Sequence, residues 1–195
     1  DLYRDLALAR AGENDVEEAE WNLRMAKRLG ATEADVSLIQ AEISHMYGEN
    51  QKAYEMAQEA LQKAPADMMG HAVSTYLLTA EACGHTKESI TYLVSHAAEM
   101  ADSTRIYWLR RAAQEALKTG DTKTAESCLE EVINSRIVLI EDLYNLDSVY
   151  EKEGAWDKSM KILTQMKNED PGEHTDYILF AYVSYRSNND RRPAE

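Results

Sequence analysis

Little in this sequence breaks a helix or ties a loop. Three prolines and eight glycines are spread over 195 residues. The two cysteines, Cys83 and Cys128, fit neither a disulfide framework nor a metal-ligand spacing, and both are expected as half-buried free thiols. Stretches of alternating Val, Ile and Thr are missing, which removes the usual signature of strands. No apolar run approaches the length that spans a bilayer. Neither a secretory leader nor an initiator Met opens the chain. It starts inside a helical pattern, Asp1-Leu2-Tyr3-Arg4-Asp5-Leu6, which reads as a fragment of a longer protein or a mature form without its leader. Positive charge is scarce too: 21 Lys and Arg face 35 Asp and Glu, a formal net charge of −14. Nucleic acid and anionic membrane surfaces are therefore poor partners.

What is present is helical material. The chain is 44% hydrophobic, enough to bury a core. Segments rich in Ala, Glu, Leu and Lys argue for an all-α protein. The stretch from Ser103 to Ile133 is the clearest. On a wheel of 3.6 residues per turn, Leu109, Ala112, Ala113 and Ala116 share one side, and Tyr107, Arg110, Arg111, Gln114 and Lys118 the other. Gly120 ends this helix, because glycine accepts the left-handed conformation of a helix terminus. Asp121 can cap the next one, whose apolar stripe is Ala125, Leu129 and Val132. So short a turn makes the two helices antiparallel neighbours.

The second-helix pattern recurs. It reads Ala19, Leu23, Ala26; then Ala53, Ala57, Ala60; then Ser89, Leu93, His96; then Ala125, Leu129, Val132; then Ser159, Leu163, Met166. One hairpin cannot bury its stripe alone, so successive hairpins are expected to stack. Gly12, Gly48, Gly84, Gly120 and Gly154 each mark a hairpin turn. Gly12 stands further from its repeat than the others, so the first turn reads as a longer one. In the second hairpin the first-helix core stripe reads as Val36, Ile39, Ile43 and Met46.

This period and pattern resemble the tetratricopeptide repeat (TPR) family. The fifth unit carries the match best, in Leu143, Leu146, Tyr150, Gly154, Ser159, Leu163 and Pro171. The second unit adds Ala53, Ala57, Ala60 and Pro65. Asp147 departs from the pattern, standing where the family prefers a small residue, and the fourth unit lacks a closing proline. The resemblance implies a right-handed superhelix of about five stacked hairpins plus a final single helix. The units would be about 1–32, 33–66, 67–102, 103–137 and 138–172, with the final helix at 173–187, together one domain over 1–187. In that last helix Tyr177, Phe180 and Ala181 would face back, with Tyr182, Tyr185 and Arg186 elsewhere. Residues 188–195 read as a frayed tail. The resemblance further implies a groove, lined by first helices, for an extended or helical peptide.

No catalytic constellation emerges. The five histidines form neither HxxxH nor HExxH, and Cys83-Gly84-His85 has no second pair to complete a metal site. Phosphate-binding glycine loops are missing. Acidic pairs such as Glu17-Glu18 and Glu130-Glu131 lie on helix surfaces. No cofactor or metal is expected, and the chain reads as no enzyme. The outlier is electrostatic: from Ser103 to Gly120 four basic residues, Arg105, Arg110, Arg111 and Lys118, stand against one acid, Glu115. Beside them Glu141, Tyr144, Asn145 and Ser148 would line the adjacent first helix. Arg110, Gln114 and Asn145 are similar to part of the clamp by which some TPR co-chaperones hold a chaperone's terminal carboxylate. Thr175 and Leu179 stand where that clamp would need basic groups. The candidate peptide-binding set is thus Tyr107, Arg110, Arg111, Gln114, Lys118, Tyr144, Asn145 and Ser148, for an acidic or carboxylate-ended segment. The competing reading is that these arginines pair locally with acids such as Glu141 and Asp142.

Two functions of different class follow. One is a scaffold binding a protein or peptide partner in its groove. The other is a structural, oligomerising or regulatory spacer of a larger envelope or signalling protein, with self-association. Localisation stays open: the lack of a disulfide framework favours the cytoplasm, and the missing N-terminus leaves the cell envelope or secretion open.

Overall fold

The structure is a computed structural model that describes residues 2–169. Expectations for Pro171, Thr175, Leu179, the helix at 173–187 and the tail at 188–195 lie outside the described residues. Those described form ten helices and no strand. They are α1 (Leu2–Gly12), α2 (Val16–Arg28), α3 (Glu33–Met46), α4 (Asn50–Lys63), α5 (Met69–Cys83), α6 (Thr86–Ala97), α7 (Asp102–Thr119), α8 (Thr122–Ile133), α9 (Ile140–Glu153) and α10 (Trp156–Glu169). Short connections join them into five successive hairpins, so the all-α reading holds. The chain divides into two compact units, Asp1–Tyr92 and Leu93–Glu195, with the boundary inside α6.

In the first unit α1 packs on α2, α3 on α4, and α4 on α5. The first helices of the hairpins also touch in order, α1 against α3 and α3 against α5. Ala7, Ala11, Ala19, Leu23, Ile39 and Ile43 form one buried cluster. Alanines dominate the contacts: Ala53, Ala57 and Ala60 of α4 are fully buried, which lets neighbouring backbones approach closely. The expected α3 stripe needs correction. Ile39 and Ile43 are buried, but Met46 is 52% exposed. Ala34, Leu38, Ala41 and Ser44 complete the buried face. It is wider than the expected stripe because α3 is packed by α1, α2, α4 and α5.

In the second unit α7 packs on α8, α8 on α9, and α9 on α10. The stripe Leu109, Ala112, Ala113, Ala116 is buried as expected, and Ile106 and Trp108 are buried beside it. Ala125, Leu129 and Val132 are fully buried in α8, as are Leu143 and Leu146 in α9. Asp147, standing where a small residue was expected, is fully buried and accepts a hydrogen bond from Ser159 Oγ of α10 at 2.6 Å. Donor and acceptor thus meet between the two packed helices, and neither is left unsatisfied.

The turns follow one rule with one surprise. Gly48, Gly84, Gly120 and Gly154 all take left-handed backbone, with φ between 69 and 77°. Gly12 does not; it is the last residue of α1, and Asn14 takes the left-handed conformation at φ 62°. Asn14 precedes Ala19 by the same interval that separates Gly120 from Ala125. The first turn is therefore an ordinary one in which asparagine replaces glycine, which asparagine tolerates. In α6 the third repeat position also needs correction: His96 is half-exposed and Ala97 is buried.

Candidate interaction surface

The basic side chains of the second unit stand on α7, and their environment decides what they can bind. Arg110 Nε donates to Asp142 Oδ1 at 2.7 Å, and its Nη2 donates to Asp142 Oδ2 at 2.8 Å. The same Nη2 donates to the Ile137 carbonyl at 2.9 Å. Asp142 is fully buried, and its Oδ2 also accepts the Leu139 N–H at 2.9 Å, which caps α9. Arg110 therefore clasps α7 to the α8–α9 connection and to the start of α9. This planar fork matches a carboxylate through two parallel bonds. It holds the connection between the fourth and fifth hairpins, whose sequence lacks a closing proline.

The other three cations are less evenly matched. Arg105 lies near Asp102 at 3.5 Å and Glu131 at 3.4 Å. Arg111 and Lys118 share a single carboxylate: Lys118 Nζ stands 2.8 Å from Glu115 Oε1, and Arg111 Nη2 stands 3.9 Å from the same oxygen. Glu115 is 5% exposed. Arg111 Nη1 also donates to Gln114 Oε1 at 3.3 Å, and its buried Nε has no partner. Among the described residues, two cations on adjoining turns of α7 thus have one carboxylate between them. Because Arg110 reaches Asp142 thirty-two positions on, Tyr144 and Asn145 of α9 stand level with the Arg111–Gln114 turn, and Ser148 with Ala116, next to Glu115. Tyr107, Arg111, Gln114, Tyr144, Asn145 and Ser148 are all half-buried, and Lys118 is exposed.

A second constellation, missed from the sequence, joins α3 and α5 in the first unit. Glu42 Oε1 accepts from Thr75 Oγ1 at 3.1 Å and pairs with His71 Nε2. Its only advance signal was the separation of 33 positions, close to the repeat period. Further along, Tyr54 stacks on Tyr76 at 5.4 Å and their hydroxyls meet at 3.2 Å. Burial, then the Tyr54 hydrogen bond, pushes the Tyr76 phenol far above its ordinary range. His85 lies against the Tyr54 ring at 5.1 Å. Among the described residues no three His, Cys, Asp or Glu side chains converge on a metal site. Cys83 is half-buried and Cys128 buried.

Between α8 and α10 a cleft of about 460 Å³ is lined by Glu130, Tyr150, Lys158, Lys161, Ile162 and Gln165, among others. Its charges are largely matched: Lys158 pairs with Glu126 and Glu130 and lies 4.9 Å from the Tyr150 ring centroid. Among the described residues no helix is long and apolar enough to cross a membrane.

No protein-family model matches this sequence, and no curated protein matches it. Among solved structures, one titled "MamA AMB-1", a TPR-containing protein, superimposes with a TM-score of 0.53 at 16% identity. The match covers 91% of this chain and 95% of that one. At that identity the likeness is one of fold, and the chain has a TPR-like helical repeat fold.

Proposed function

We propose that this chain is a non-enzymatic protein-interaction scaffold, and that the α7/α9 face of its second unit receives an acidic or carboxylate-ended segment. The observation that carries this reading is the sharing of Glu115 by Arg111 and Lys118 in a chain that is otherwise strongly acidic. A ligand carboxylate would supply the missing negative charge. Gln114, Asn145 and Ser148 would bond its backbone, and Tyr107 and Tyr144 would supply flat contact area. Arg110 holds Asp142 and serves as a support beneath the face rather than as a contact.

A peptide-library pull-down tests this with wild type beside Arg111→Glu/Lys118→Glu, at low and moderate salt. Wild type is expected to enrich acidic or carboxylate-ended peptides, less so as salt rises, and the variant to lose them by about tenfold or more. Equal profiles for the two proteins would sink the reading.

The spacer reading draws support from a different observation. Leu2, Val16, Trp21 and Leu29, on α1, α2 and just beyond, are 44 to 69% exposed. Sedimentation across a concentration series decides it: self-association that Trp21→Ser abolishes would favour a structural segment.

A further inference from the structure

Charge is sorted between the first helices. While α7 carries four Lys and Arg, α3 and α5 carry none. Their charged residues are Glu33, Asp35, Glu42 and Glu81. Two of these are already engaged: Glu33 pairs with Lys63, and Asp35 accepts from Thr32 at the start of α3. Glu42 and Glu81 remain. Glu42 is held through Oε1 by both His71 and Thr75, whereas among the described residues Oε2 has no hydrogen-bond partner. The side chain stays 18% exposed, so the carboxylate is not sealed from an incoming donor.

Beside these carboxylates the surface turns apolar. Because α4 runs back between them, α3 and α5 run in the same direction, and Glu42 lies level with Thr75. One turn on, Met46 of α3 is 52% exposed and Leu78 of α5 is 48% exposed. The exposed stripe of α5 runs His71, Ser74, Leu78, Glu81. Large apolar side chains bracketed by the held carboxylate of Glu42 and the exposed one of Glu81, with no Lys or Arg on either helix, make a surface of definite sign and texture.

We propose that this α3/α5 face docks a cationic, apolar segment of a partner protein. One Arg or Lys of that segment donates to Glu42 Oε2, and a second, nearly two helical turns on, to Glu81. An adjacent leucine-like side chain packs on Met46 and Leu78, where the unbranched thioether adapts to its shape. The carboxylates repel an acidic segment from this face, so it takes the opposite ligand from the α7/α9 face and does not rest on that reading.

The test uses the full chain and three fluorescein-labelled peptides, of Arg/Leu, Arg/Ser and Glu/Leu composition, read by anisotropy. The Arg/Leu peptide is expected to bind wild type, and both Glu42→Gln and Met46→Ser/Leu78→Ser to weaken it roughly tenfold. Arg111→Glu/Lys118→Glu is expected to leave that binding unchanged while weakening any binding of the Glu/Leu peptide. Circular dichroism of each variant checks that the helices are intact. The proposal is overturned if the Arg/Leu peptide fails to bind, or if Arg/Ser binds as tightly. It is overturned equally if neither the Glu42 nor the Met46/Leu78 variant matters, since attraction would then come from bulk charge alone.

Discussion

Arg110 and Asp142 show how much one side-chain pair can organise. Asp142 collects two guanidinium bonds and the Leu139 N–H, so nothing about its burial is left unpaired. Removing one partner leaves a buried charge alone, and Arg110→Ala or Asp142→Ala is expected to cost about 3–5 kcal/mol in urea unfolding. Arg110→Lys recovers only part of this, because an ammonium cannot span both carboxylate oxygens. Arg110→Met/Asp142→Leu is expected to be more stable than either alanine variant; a double replacement no better than the single ones would contradict this account. Cys128 offers a second residue-scale check. Burial, followed by the fields of Glu131 and Asp121, pushes its thiol up from 9.0 to about 11. The folded state thus keeps the proton that the unfolded chain releases. The stabilisation is complete below pH 9 and is lost as pH rises through 11, by roughly 2–3 kcal/mol. Urea midpoints at both pH values should show the fall, and Cys128→Ala should remove part of it.

Each hairpin ends its first helix with one left-handed residue, and a fixed interval later the second helix presents its small residue. Added side-chain bulk at Gly120 would meet no atom within 4 Å, so Gly120→Ala tests backbone strain alone. It is expected to cost about 1–2 kcal/mol. Asn14 holds the same place in the first hairpin. There Asn14→Gly is expected to leave thermal stability within about 0.5 kcal/mol of wild type, and Asn14→Ala to lower it by about 1 kcal/mol. If Asn14→Ala were neutral, the left-handed turn would not be what ends α1. Contacts between hairpins obey a related rule. Arg110 reaches Asp142 and Lys158 reaches Glu126, each 32 positions apart, and Glu42 reaches Thr75 at 33. Within each unit, these helices of the same rank in successive hairpins lie near one another, so partners stand one repeat away rather than nearby in sequence.

Across the whole molecule, an acidic chain carries its cations unevenly. Four are drawn to α7 and none to α3 or α5, which gives the two compact units first-helix faces of different chemistry. The helix hairpins, the left-handed turns at Gly48, Gly84, Gly120 and Gly154 and the buried small-residue pattern of Ala19, Ala53, Ser89, Ala125 and Ser159 were legible from the sequence alone, whereas the turn at Asn14 was not. They depend on periodicity and backbone conformation, which neighbours along the chain dictate. The basic character of α7 was equally plain. Tertiary structure decided the rest, because partners arrive from another helix. It decided that Met46 faces solvent although its spacing is apolar, that Asp147 is tolerated because Ser159 donates to it, and that Glu42 belongs with His71 and Thr75. Above all it decided that Arg110 is occupied by Asp142 while Arg111 and Lys118 share Glu115. Net charge can be counted along a chain, but which charges remain unmatched depends on the side chains that packing brings within hydrogen-bond reach.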